Sequence, residues 1–170
     1  MVKILISEFI NKNSLNKLKR VFKVHYDEKL WKYPKKINRI IKNFDCLIVR
    51  NKTIVNKNLL NGANKIQLVG RLGVGIDNID TEYCYSKKIR VQPATGMNAD
   101  SVAEYVCTCS LLLIKKISLF HKETLKGKWP RTSIISEELK SKNLGIIGYG
   151  SVGKKVSEYC SKIGLEVIVH

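Results

Sequence analysis

Acidic residues are scarce in this chain. Fourteen Asp and Glu face 31 Lys and Arg, for a formal net charge of +17 over 170 residues. A field of that sign could draw in nucleic acid, an anionic membrane or an acidic substrate. What is missing is an arrangement that would specify one of them. No block of five or six like charges occurs, and the densest basic stretch, residues 12–42, interleaves its Lys with Asn, Leu and Ile. Nor do aromatic residues alternate with basic ones in the stripe that a single-strand binder uses. The charge reads as a Lys-rich solvated surface, with nucleic-acid binding as the lesser alternative.

Long apolar runs are also absent. The longest, residues 105–114, is too short to span a bilayer, so no membrane role is expected. Residues 1–8 read as a strand with no cleavage site behind it, which argues against a secretory leader. The five Cys have no disulfide-like spacing. Cys107 and Cys109 form a C-x-C, but on a helix such positions point to nearly opposite sides and cannot chelate one metal. Most of the five read as small buried hydrophobes, which suits a reducing cytoplasm. What is present is an ordinary globular composition, 44% hydrophobic and 26% charged. The length suffices for one domain or two small ones.

Short apolar runs alternate with helical patterns through the first half. Strands are expected at residues 2–7 (VKILIS), 21–25, 46–50 (CLIVR), 66–71 (IQLVGR) and 89–91. Helices are expected at 13–20, 35–42, 56–60 and 80–86. Such alternation means a parallel sheet covered on both faces, with right-handed crossovers. A turn-rich loop, 92–98, leads to the strongest helical pattern, 101–117. It is apolar nearly all round and should therefore be buried at a domain or subunit interface. Residues 127–133 form a linker with Trp129 and Pro130. A last strand–helix–strand unit follows at 144–147, 151–163 and 166–169.

The junction of that unit reads Gly148-Tyr149-Gly150-Ser151-Val152-Gly153. A G-x-G-x-x-G alone is weak, but here it follows a strand and opens a helix. Gly148 would make the tight turn, Gly150 would let a pyrophosphate approach the backbone, and Gly153 would let helix pack on strand. The helix N-terminus offers free N–H groups to the phosphates. An acid that holds the adenine ribose is expected about 20 positions on. It would fall at or just after His170, so the choice between NAD and NADP stays open.

Three motifs in this order resemble the D-isomer-specific 2-hydroxyacid dehydrogenases, the group that includes phosphoglycerate dehydrogenase. They run from Val69 to Asp80 (VGRLGVGIDNID), from Pro93 to Glu104 (PATGMNADSVAE) and from Asn143 to Gly153 (NLGIIGYGSVG). With CLIVRNKT at 46–53 and Gly127-Lys128-Trp129, the resemblance covers essentially the whole chain. It implies an α/β fold: a flavodoxin-like parallel sheet domain at 1–97, incomplete, then the first βαβ part of a Rossmann NAD-binding domain at 98–170, truncated. It implies hydride transfer between NAD and a 2-hydroxy or 2-keto acid, in a cytoplasmic homodimer. The phrase 93–98 resembles the sulfolactate dehydrogenase-like subgroup, whose substrates carry a second anion.

Residue by residue, the resemblance implies that Val74 and Gly75 hold the substrate carboxylate on backbone N–H groups, a small anion nest. Arg50 matches a position that reaches a second anionic group, although a plain surface Arg at a strand end reads equally well. Gly148, Gly150, Ser151, Val152 and Gly153 match the pyrophosphate loop. Asn98 matches the start of the hinge helix and is read as its cap. The family's Arg, Glu and general acid/base His lie beyond the position where this chain ends. His25, His121 and His170 sit in no matching motif, so no catalytic residue is assigned. The expectation is a fragment or interrupted gene product, inactive alone, with a non-catalytic NAD-binding or corepressor-like module as the alternative.

Overall fold

The computed structural model describes residues 1–170, the side chain of Ser141 excepted, and divides into two compact units, residues 1–95 and 96–170. In the first unit, β1 (Lys3–Ile6), β2 (Lys23–Tyr26), β3 (Cys46–Val49), β4 (Leu68–Arg71) and β5 (Arg90–Pro93) form one sheet in the order β2-β1-β3-β4-β5. Every pair is parallel. The expected five-stranded parallel sheet is therefore present, and its order is the flavodoxin-like one, which reverses between β1 and β3.

Period-2 alternation explains how each strand serves two cores. Leu5, Leu47, Val49 and Val69 point to one face and pack with Ile37, Leu59, Leu60 and Cys84. Those partners come from or adjoin α2 (Pro34–Ile40), α3 (Lys57–Leu60) and α4 (Thr81–Ser86). Ile4, Ile6 and Cys46 point to the other face, where Leu15 of α1 (Lys12–Val21) covers them. The Lys of α1 stay outside: Lys12, Lys17 and Lys19 are exposed while Leu15 is buried, as the solvated-surface reading of the charge requires. Pro34 opens α2, where its missing N–H costs nothing. Asn56 and Asp80 cap α3 and α4 by accepting from the Leu59 and Tyr83 amides.

The second unit contains α5 (Ala99–Ile114), α6 (Ile117–Leu125), β6 (Asn143–Ile146), α7 (Ser151–Lys162) and β7 (Glu166–Val169). Strands β6 and β7 pair in parallel around α7, the expected βαβ. Ala103, Val156, Cys160 and Leu165 form its core, with Val106, Leu144 and Val152 packed around it.

Two expectations are corrected here. The helical pattern 101–117 is not one helix. Helix α5 starts two residues earlier and stops at Ile114, because Lys116 turns left-handed (φ 51°) before the unforeseen α6 begins. Within this chain only Ala99 and Ala103 of α5 are buried, and Leu113 is 77% exposed, so the apolar faces of α5 are open to a partner. Asn98 stands at the cap position of α5, but its side chain makes no capping hydrogen bond. Among the described residues, no helix is long and apolar enough to cross a membrane.

Candidate functional site

In a parallel sheet, every strand delivers its chain to the same edge, and ligands gather outside the carboxyl ends where the strand order reverses. Here β1 and β3 flank that reversal. Strand β1 ends in Ser7 and Glu8, and β3 empties into Arg50 and the 50–53 loop. Glu8 is almost completely buried, at 3% exposure. Its carboxylate accepts four hydrogen bonds from consecutive backbone amides: Arg50 at 2.8 Å, Asn51 at 3.1 Å, Lys52 at 3.0 Å and Thr53 at 2.9 Å. Burial opposes its charge, yet the amides of Arg50, Thr53 and Lys52 outweigh burial and hold its pKa below the ordinary carboxylate value. Two further bonds tie the same loop down. The hydroxyls of Ser7 and Thr53 meet at 2.8 Å, and Asn78 Nδ2 donates to the Thr53 carbonyl at 2.8 Å. Arg50 itself is exposed at the rim of this braced loop.

The neighbouring strand, β4, ends at Arg71 and runs into Gly73, Val74 and Gly75. The Leu72 amide bonds the Val49 carbonyl at 2.8 Å, which keeps this loop beside Arg50. Arg50 and the Val74 and Gly75 amides thus leave the same edge of the sheet from adjacent strands, as the sequence led one to expect. Among the described residues, the amides of Val74 and Gly75 donate to no protein acceptor. The guanidinium of Arg71 folds back toward Gly73 and Gly75. A Cβ on Gly73 would collide with Arg71 Nη1, and one on Gly75 would stand 3.9 Å from Nη2 and 2.9 Å from Asp77 Oδ2. The Arg71 Nε is buried with no partner, and so is Asn78 Oδ1. Adjacent unpartnered amides and a guanidinium in one loop are groups of the kind that bind a carboxylate, although the Asp77 carboxylate also lies close to Gly75.

In the second unit, the glycine loop has the geometry its spacing suggested. Gly148 takes φ 94°, a conformation that side chains rarely adopt. Its amide bonds the His170 carbonyl at 2.9 Å, so the loop is pinned to the end of β7. A Cβ on Gly153 would collide with the Gly148 carbonyl oxygen and lie 3.5 Å from Ile146 Cγ2. Helix and strand therefore meet at a spacing that only glycine allows. Gly150 differs: a Cβ there would touch nothing within 4 Å, so the protein's own packing does not call for glycine. Ser151 and Val152 are the first residues of α7, whose start no side chain caps. Val152 turns its side chain into the core and leaves its amide at the helix N-terminus. A loop with spare room at Gly150 and uncapped amides behind it fits a dinucleotide pyrophosphate.

Among the described residues, no group of His, Cys, Asp and Glu could hold a metal. Glu8, Arg71 and Asn78 were not singled out from the sequence. A lone acid directly after an apolar strand, in a chain this short of acids, was the signal that could have pointed to Glu8.

Residues 4–167 match the profile of the D-isomer specific 2-hydroxyacid dehydrogenase catalytic domain. The (S)-sulfolactate dehydrogenase of Chromohalobacter salexigens is 36% identical over 170 residues, which cover 100% of this chain and 55% of that protein. The D-3-phosphoglycerate dehydrogenase of Methanocaldococcus jannaschii is 33% identical over 168 residues, 99% of this chain and 32% of that one. Among solved structures, the NAD+-bound 3-phosphoglycerate dehydrogenase of Entamoeba histolytica superposes with a TM-score of 0.70 at 28% identity, covering 99% of this chain and 53% of its own. The TT0316 protein of Thermus thermophilus gives 0.83 at 18% identity over 99% and 56%, a likeness of fold alone. The chain spans about half, or less, of the length of the curated relatives it matches.

Proposed function

The chain belongs to the D-isomer specific 2-hydroxyacid dehydrogenase family, and on that footing we propose that it supplies the substrate-anion loops and the pyrophosphate loop of an NAD-dependent oxidoreductase. The first unit is the substrate domain and the second is the amino-terminal part of the cofactor domain. The observation that supports the reading is the candidate cradle after β4, where the acceptor-free amides of Val74 and Gly75 share a loop with the Arg71 guanidinium. It receives the carboxylate of a small 2-hydroxy or 2-keto acid. Arg50, one strand away, takes a second anionic group, and a dianionic acid such as sulfolactate or phosphoglycerate satisfies both. Gly148 and Gly150 admit the dinucleotide, while the amides of Ser151, Val152 and Gly153 face its pyrophosphate. When bound, the nicotinamide accepts or gives the hydride at C2 of the acid. The chain's own residues bind and orient; we assign no general acid/base among them. His25 lies on β2, which β1 and β3 separate from the β4 cradle, and its ring packs on Phe44. The exposed faces of α5 and α6 are where a homodimer partner packs.

Calorimetry tests the reading, with NAD, NADP and 3-phosphoglycerate titrated into the 170-residue chain. Weak NAD binding that Gly150→Val abolishes, and 3-phosphoglycerate binding that Arg71→Gln abolishes, are expected. Binding that survives both substitutions overturns it. The placement of His25 favours a second reading for the chain by itself, a module that binds without turnover. Steady oxidation of a 2-hydroxy acid above a Gly150→Val control would exclude that one.

A further inference from the structure

Helices α5 and α7 bring together two cysteines that lie 53 positions apart. The sulfurs of Cys107 and Cys160 are 3.1 Å from each other. Both thiols are free. Cys160 is completely buried, whereas Cys107 reaches the surface in an open groove lined by Glu104, Thr108, Tyr159, Lys162 and Ile163. The two helices are held in this register by other contacts. The Tyr159 hydroxyl donates to Asp100 Oδ1 at 2.9 Å, and Lys155 stands 3.4 Å from the same oxygen. We propose that Cys107 and Cys160 form a redox-modification site, in which a hydroperoxide oxidises Cys107 and Cys160 then closes an intramolecular disulfide between α5 and α7.

The geometry assigns the two roles. Burial first, and the adjacent Cys107 sulfur second, push the Cys160 thiol up to about 12. Cys160 thus stays protonated and shielded, and the groove presents Cys107 to the oxidant beside the Lys162 side chain. The Cys107 thiolate attacks one peroxide oxygen. An S–O bond forms, the O–O bond breaks, and the departing alkoxide takes a proton to leave as the alcohol. The Cys160 sulfur then attacks the sulfenic sulfur. The S–S bond forms, the S–O bond breaks, and hydroxide leaves as water with the Cys160 proton. Two thiols lose two electrons and the hydroperoxide gains them. A disulfide needs its sulfurs about 2 Å apart, so the pair must close by roughly 1 Å, within reach of side-chain rotation. Cys109 is no competitor, since it projects from a different side of α5.

Peptide mapping without reductant, after treatment of the full chain with equimolar hydrogen peroxide, tests the proposal. The expected product has lost two hydrogens (about 2 Da), links the peptides of Cys107 and Cys160, and reverts with dithiothreitol. Cys109→Ser should leave it unchanged and Cys107→Ser should abolish it. Cys160→Ala should instead accumulate a Cys107 sulfenic acid that dimedone captures. Should that variant fail to fold, the wild-type map alone decides. A Cys107–Cys109 link, links only between chains, or wild-type Cys107 passing to the sulfinic acid without a cross-link would each overturn it.

Discussion

Gly153 sits so close to Gly148 that any side chain at 153 would run into the Gly148 carbonyl oxygen. The obstacle is backbone, which cannot swing aside as a side chain would. Gly153→Ala is therefore expected to destabilise the βαβ unit by about 3 kcal/mol, the upper range for overpacking. Gly150→Ala meets open space and should leave the melting temperature nearly unchanged while weakening NAD binding. Thermal melts and calorimetry on the two variants separate the roles. Equal effects of both on stability would count against the assignment.

Glu8 is the second test. Glu8→Gln removes the charge and puts an NH2 group where one carboxylate oxygen accepted two amides, so two of the four lose their acceptor, and it should cost about 3 kcal/mol. Its pKa is depressed on folding, so its contribution is complete above the ordinary carboxylate value. It fades as pH falls through the folded-state value. Urea denaturation of wild type and Glu8→Gln should show a gap that is wide at neutral pH and closes in acid. A gap independent of pH would refute the charge-based account.

The two arginines at the strand ends should separate by ligand charge. Arg50→Gln is expected to weaken a dianionic acid about tenfold, the loss of one charge-assisted contact, and to leave lactate unaffected. Arg71→Gln removes the guanidinium beside Gly73 and should weaken both ligands. Competition binding with 3-phosphoglycerate and lactate distinguishes the two patterns.

Apolar side chains remain outside on the second unit. Tyr105, Leu113, Leu125 and Trp129 are 68%, 77%, 75% and 83% exposed. Beside Trp129 lies a hollow of about 370 Å³ lined by Phe120, Pro130 and Ile134. Exposed apolar surface on this scale favours association. Sedimentation should show self-association despite the +17 charge, and Leu113→Glu with Trp129→Ser should shift it toward monomer. A monodisperse wild-type monomer at high concentration would contradict this.

The sheet was legible because its signal is local. Runs such as CLIV at β3 alternate on two faces, and each is bounded by turn residues, so five parallel strands followed from pattern alone. Strand edges shifted by a residue or two, as with Ile66, which packs as core ahead of β4 instead of opening it. Helix α6 was invisible because its start depends on one left-handed lysine, Lys116, that nothing in an apolar pattern marks. Periodicity reports how apolar a helix is and not what covers it, so the all-round apolar pattern of α5 pointed to a partner surface without saying which residues, such as Leu113, stay open. Within the candidate site, the glycines and Arg50 stood in motifs that could be read directly. Glu8 and Asn78 did not, because their work is to brace the 50–53 loop from the loops after β1 and β4, some 25 to 45 positions away.

The Glu8 carboxylate makes the 50–53 loop its own internal counterpart to a bound anion, and so joins loop ordering to folding. Fixing the backbone of a residue costs roughly 1–2 kcal/mol in conformational entropy. For these four residues that cost falls when the sheet assembles, before any ligand arrives. On the proposed reading, a substrate would meet Arg50 on a stiff platform and spend its contact energy on affinity instead of on freezing a loop. The trade, for the proposed site, is selectivity of shape: a platform set by an internal carboxylate has one spacing to offer from Arg50 to the amides after β4, and acids whose two charges lie closer or farther apart would have to strain to use it.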